Sequence, residues 1–116
     1  MDIFLTGSTG FIGKNIKSAL ISRNFKVISI NRNIYSSENP NDLKMFIDSS
    51  QIKPNSLLIH AAAAGVKNQC SFEENILINV FYLRRIISSF FIKGVRNFII
   101  LGSCFEYGKT GNNELF

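Results

Sequence analysis

An α/β fold with a parallel sheet is the architecture this 116-residue sequence predicts. Three observations carry it. Apolar runs of strand length alternate along the chain with segments of helical period. The runs are solid rather than alternating, as strands are when helices cover both faces of a sheet. And three glycines, Gly7, Gly10 and Gly13, separate the first run from the first helix.

Taken in order, Ile3 to Thr6 is a short strand that ends at Gly7. From Phe11 the period lengthens: Ile12, Ile16, Ala19, Leu20 and Arg23 share one side, with Lys14, Asn15 and Lys17 on the other, which predicts a helix. Phe25 to Ile30 is a strand rich in β-branched residues. The stretch 31–41, with its Asn, Ser and Pro, reads as a loop. Asp42 to Ser50 is a short helix with Leu43, Phe46 and Ile47 on one face. Leu57-Leu58-Ile59 opens the next strand and runs into His60 and a run of alanines. The spacing predicts a long helix over 72–92. Its core face is Phe72, Ile76, Val80, Leu83, Ile87 and Phe90, and Ile78, Tyr82 and Ile86 form a second stripe that needs a cover of its own. Gly94 ends that helix, and Asn97 to Gly102 reads as a buried strand. Neither an internal repeat nor a linker interrupts the series. About four to five strands with flanking helices make a partial Rossmann-type, doubly wound parallel sheet, so 1–116 reads as part of one domain.

Composition narrows the function. The chain is 46% apolar and 18% charged, with 11 Phe and no Trp, which fits a folded globular chain and excludes a disordered one. The longest uncharged apolar stretch, Asn55 to Val66, falls short of the roughly 18 residues a membrane span needs. The start reaches Gly7 without a basic region and does not read as a signal peptide. Two cysteines, Cys70 and Cys104, argue against a disulfide scaffold and for a reduced, cytoplasmic setting. The net charge of +5 is spread along the chain, with Arg84-Arg85 the only tight pair, so nucleic-acid binding ranks last among the readings.

Ligands of parallel sheets bind beyond the carboxyl ends of the strands, here after Leu5, Ile30, Ile59 and Leu101. The first of these ends is Thr6-Gly7-Ser8-Thr9-Gly10-Phe11-Ile12-Gly13. Gly7 allows a tight turn, Gly10 lets the backbone approach a diphosphate, and Gly13 lets the helix pack closely. The free N–H groups at the helix start meet the negative charge. The spacing is G-x-x-G-x-x-G rather than G-x-G-x-x-G. A triphosphate-binding G-x-x-x-x-G-K-[ST] loop is excluded, because Ser8 stands where its first glycine is required and Asn15 where its Ser/Thr is required.

Four motifs in register with the strand ends carry a family resemblance: Thr6 to Gly13; His60-Ala61-Ala62-Ala63; Asn79-Val80 within the long helix; and Gly102-Ser103-Cys104-Phe105-Glu106-Tyr107-Gly108. With them the sequence resembles, over nearly its whole length, the extended short-chain dehydrogenase/reductase family of NAD(P)-dependent nucleotide-sugar epimerases and dehydratases. The resemblance implies cofactor contacts at Gly7, Thr9, Gly10, Phe11, Ile12, Gly13, Asn31, Arg32, Ala61, Ala62 and Ala63. It implies Ser103 as the active-site serine that hydrogen-bonds the reacting sugar oxygen, and Asn79 as a brace. Many NAD-binding members carry an acidic residue where Asn31 stands. Its absence, with Arg32 beside it, implies NADP(H) in preference to NAD(H), although both residues also read simply as loop residues. His60 reads as a structural, hydrogen-bonded histidine, and no ligand spacing points to a metal. Glu106 matches acidic positions in some dehydratases, while Phe-Glu-Tyr-Gly also occurs in keto-sugar reductases.

The family's Tyr-x-x-x-Lys pair is missing: the residues four after Tyr35, Tyr82 and Tyr107 are Asn39, Ile86 and Gly111. The expected function is therefore the NAD(P)-binding portion of a nucleotide-sugar epimerase, dehydratase or keto-reductase, catalytically incomplete by itself, with the substrate-binding region absent and whether the chain is itself an enzyme left open. The alternative is a non-enzymatic NADP-sensing or dimerising module of the same fold. The expected partners are the family's nucleotide-sugar substrate and a second copy docked through helix 72–92, with neither nucleic acid nor membrane.

Overall fold

The structure, a computed structural model, describes residues 1–62 and 71–101. Four strands form one fully parallel sheet: β1 (Asp2–Thr6), β2 (Lys26–Ile30), β3 (Leu57–His60) and β4 (Asn97–Ile100), in the spatial order β2-β1-β3-β4. The chain steps outward from β1 to β2 and then returns past β1 to reach β3. The reversal falls between β1 and β3, and it opens a crevice at their carboxyl ends.

Helices flank both faces, as the solid apolar strands predict. On one face α1 (Phe11–Ser22) lays Ile16 and Leu20 over Ile3, Leu5 and Ile59. On the other, α2 (Arg32–Ser36), α3 (Pro40–Ser49) and α5 (Leu83–Ile92) enclose Phe4, Ile30, Leu58 and Val95 with their own Tyr35, Leu43, Ile47, Ile86 and Phe90. The rings of Phe4 and Phe90 meet edge to face at 5.0 Å in the middle of this larger core. Left-handed residues end the helices: Asn24 (φ 65°) follows α1 and Gly94 (φ 93°) follows α5.

Several expectations need correction. The stretch 31–41 is not a loop throughout, since α2 lies within it and α3 begins at Pro40. Asn31 caps α2 by accepting from the Asn33 amide, and Asn39 caps α3 by accepting from the Asn41 amide, with Pro40 in the first turn. The helix over 72–92 exists, but its register changes midway. After α4 (Phe72–Ile76) the segment Leu77–Tyr82 is π-helical, and α5 follows. A π turn holds one more residue than an α turn, so a face drawn at one period cannot stay on the sheet. Phe72 is therefore 73% exposed and Val80 is exposed, while Ile86 of the second stripe is fully buried and Tyr82 packs on the core. The stripe Ile78, Tyr82 and Ile86 thus cannot serve as a free dimer face. This helix is long and apolar enough to cross a membrane by length and composition, yet Ile86 and Phe90 lie fully buried against the sheet. The predicted buried strand β4 is an exposed edge, where Ile99 and Ile100 are each nearly half open to solvent.

Candidate functional site

The turn between β1 and α1 follows from its glycines. Gly7 sits at φ 70°, in the left-handed region, and a Cβ there would come within 2.7 Å of the Ala62 backbone nitrogen. Gly13 presses against the Gly7 carbonyl, and a Cβ on Gly13 would overlap that oxygen. Gly10 donates its amide to the Gly7 carbonyl at 3.1 Å and is the N-cap of α1. It brings no side-chain cap, and the first turn holds no acidic residue. The positive end of α1 therefore keeps its amides for an incoming anion.

These residues open onto a cleft of about 730 Å³ at the β1/β3 crevice, lined by Gly7 to Gly10, Lys17, Ser29 to Arg32, Tyr35, Ala61 and Ala62. Of the expected cofactor residues, Gly7, Thr9, Gly10, Asn31, Arg32, Ala61 and Ala62 thus share one wall system. Gly13 supports the turn from behind. Phe11 and Ile12 point their side chains to solvent and do not line the cleft, so their contribution is restricted to main-chain amides at the helix start. Asn31 spends its side-chain oxygen on the α2 cap. Asn79 is half-buried. Ala63 and Ser103 lie outside the described residues.

Below the cleft Thr6 and His60 join the two central strands. Thr6 Oγ1 accepts from the amides of Ala61 (3.2 Å) and Ala62 (3.4 Å), which leaves its single proton for His60 Nδ1 at 2.8 Å. Burial drives the His60 pKa down to about 4; the Ala62 backbone works against that shift, and the Arg32 charge adds to it. His60 is thus a neutral strut that fixes the backbone of Ala61 and Ala62, as its sequence context suggested. Tyr35 was not singled out in the sequence. It packs edge to face on both His60 and Tyr82, with centroids 6.2 Å away in each case, and its carbonyl accepts from Arg85 Nη1 at 2.8 Å. Arg85 also donates to the Ser37 carbonyl at 2.9 Å and so ties α5 to the end of α2. Among the described residues no cluster of His, Cys, Asp or Glu has the makings of a metal site.

The family model described as "NAD dependent epimerase/dehydratase family" matches residues 3–115, and the chain belongs to that family. Solved structures share the fold. MoeE5 in complex with UDP-glucose and NAD has a TM-score of 0.73 at 23% identity, over 96% of this chain and 39% of that one. A short-chain dehydrogenase/reductase superfamily protein from Agrobacterium tumefaciens with bound NAD has a TM-score of 0.67 at 20% identity, over 89% of this chain and 33% of that one. A GDP-L-fucose synthetase from Naegleria fowleri bound to NADP has a TM-score of 0.63 at 20% identity, over 85% and 29%. The chain therefore spans between 29% and 39% of the length of these structures. No curated protein matches it significantly.

Proposed function

We propose that this chain is the N-terminal, dinucleotide-binding part of a nucleotide-sugar epimerase, dehydratase or keto-reductase, and that it takes NADP(H) in preference to NAD(H). The observation that carries the reading is the Gly7–Gly13 turn, packed without room for a side chain and opening onto the cleft at the β1/β3 reversal. The residues fit the cofactor. The amides of Phe11, Ile12 and Gly13 at the head of α1 receive the diphosphate, and Lys17 adds positive charge on the cleft wall. Ala61 and Ala62 keep the wall low where the ligand crosses β3, and Ala63 continues that run. Arg32 reads the adenosine side, and Thr9 lines the cleft beside the turn. When bound, the nicotinamide supplies a hydride donor or acceptor.

Ser103 is assigned to the reacting oxygen of the sugar. Proton exchange needs a tyrosine–lysine pair that this chain does not carry, so the chain alone turns over no substrate. The family setting and the two cysteines favour the cytoplasm. The exposed side of helix 72–92, with Leu77, Val80 and Phe81 (54% exposed), is the face offered to a second copy. Sedimentation of wild type and Phe81→Glu tests that point: a dimer that dissociates in the variant supports it, and a monomeric wild type rejects it.

Calorimetric titration tests the cofactor reading. Saturable binding of one NADPH per chain, tighter than NADH, is expected. A folded chain that binds neither refutes the reading, and one that prefers NADH refutes the assignment of Arg32.

A further inference from the structure

Away from the cleft, a cavity of about 400 Å³ lies between α2, α3 and α5. That volume falls in the range of small-molecule sites, which recur between packed helices. Its apolar lining is Ile34, Pro40, Leu43, Ile47 and Ile92. Ile34, Leu43 and Ile47 belong to the core beneath, whereas Ile92 is 81% exposed. An apolar body seated in the cavity would take the Ile92 side chain out of water, which favours binding.

The charges on the same walls are unbalanced. Arg85, Lys44 and Lys93 accompany one carboxylate, Asp48, and Lys93 holds that carboxylate at 3.1 Å. Arg85 and Lys44 form no ion pair among the described residues. Arg85 is also fixed in place: its Nη1 donates to the carbonyls of Tyr35 and Ser37, and its guanidinium lies over the Tyr82 ring. Among the described residues nothing accepts from its Nε or Nη2. That edge of the fork offers two parallel N–H groups, the arrangement that meets both oxygens of a carboxylate. A guanidinium already held by the protein gives up little freedom when it binds. We propose that this cavity is a ligand site for an amphipathic carboxylate, its oxygens on the Nε–Nη2 edge of Arg85 with Lys44 nearby, and its apolar chain on Leu43, Ile47 and Ile92. The cavity shares no lining residue with the dinucleotide cleft, so the proposal stands or falls without the cofactor reading.

The test titrates the full, isotopically labelled chain with octanoate and, in parallel, with octan-1-ol and with acetate, and follows the amide shifts. Octanoate should saturate one site, with shifts centred on Leu43, Ile47, Arg85 and Ser89. Octan-1-ol, which lacks the charge, should bind about ten-fold more weakly or worse, and acetate, which lacks the chain, should not saturate. Arg85→Leu should lose octanoate binding by about ten-fold or more. Because that change also removes contacts within the fold, Lys44→Glu supplies a second variant: Lys44 is exposed and unpaired among the described residues, so the chain should stay folded and still bind octanoate more weakly. Octanoate that fails to saturate, octan-1-ol that binds as well, or a folded Lys44→Glu with undiminished affinity overturns the proposal. So do shifts centred on Gly7 to Gly13 that NADPH displaces, which would put octanoate in the dinucleotide cleft. Shifts at Leu43, Ile47 and Ser89 that appear on concentrating the protein alone would give the cavity to a second copy and overturn it too. A chain that binds octanoate at this site but neither dinucleotide brings down the cofactor reading and leaves this proposal supported.

Discussion

A methyl group on Gly13 would have to share space with the Gly7 carbonyl oxygen, and both atoms are backbone-anchored. Neither side chain nor solvent can give way there, so the first turn of α1 must move off the sheet. Gly13→Ala is expected to cost about 3 kcal/mol, at the upper end of overpacking penalties, and to abolish NADPH binding. Urea unfolding followed by circular dichroism reads the first effect and calorimetry the second. His60, the only histidine in the chain, makes a prediction about acid. Its folded pKa of about 4 lies below the ordinary 6.5, so between those values the unfolded chain binds the extra proton. Stability from this group is fully present above pH 6.5 and falls as pH drops toward 4, by up to about 3 kcal/mol. Urea midpoints measured across that window should decline in wild type and decline less in His60→Asn, in which position 60 has nothing to protonate.

At the scale of elements, Arg85 connects parts of the fold that are distant in sequence. Its guanidinium serves the carbonyls of Tyr35 and Ser37 and lies over the Tyr82 ring at 5.7 Å. Arg85→Leu keeps the stem and removes the donors, and should destabilise the chain by about 1–3 kcal/mol in chemical denaturation. Sequence alone conveys little of this, because Arg84-Arg85 looks like any solvated pair. The glycine turn was legible since its requirement is local: a tight turn, a left-handed residue and a close approach all fall within one short stretch. Helix α2 and the first residues of α3 were missed although Asn31 carries the capping signal of the one and Asn39-Pro40 that of the other; those signals compete with the loop-forming character of the same residues. Tyr35 was not legible, because its surroundings come from β1, β3 and the long helix. The buried face of helix 72–92 was misread for a different reason, since a π turn within it breaks the constant period on which face assignment depends.

For the molecule as a whole, the order of apolar runs was enough to place the strands and to put helices on both faces of a parallel sheet. It was not enough to tell a central strand from an edge, because solid apolar runs describe both. Ile99 and Ile100 on β4 show the consequence: residues with core composition stand at the open side of the sheet. The cleft lies at the other critical place in the topology, the reversal between β1 and β3, and the account depends on a diphosphate binding there against the head of α1. Amide chemical shifts of the isotopically labelled chain, followed as NADPH is added, test this most directly. The account predicts saturating shifts centred on Gly7, Gly10, Phe11, Ile12 and Gly13. Saturating shifts centred elsewhere, with those amides unmoved, would contradict it.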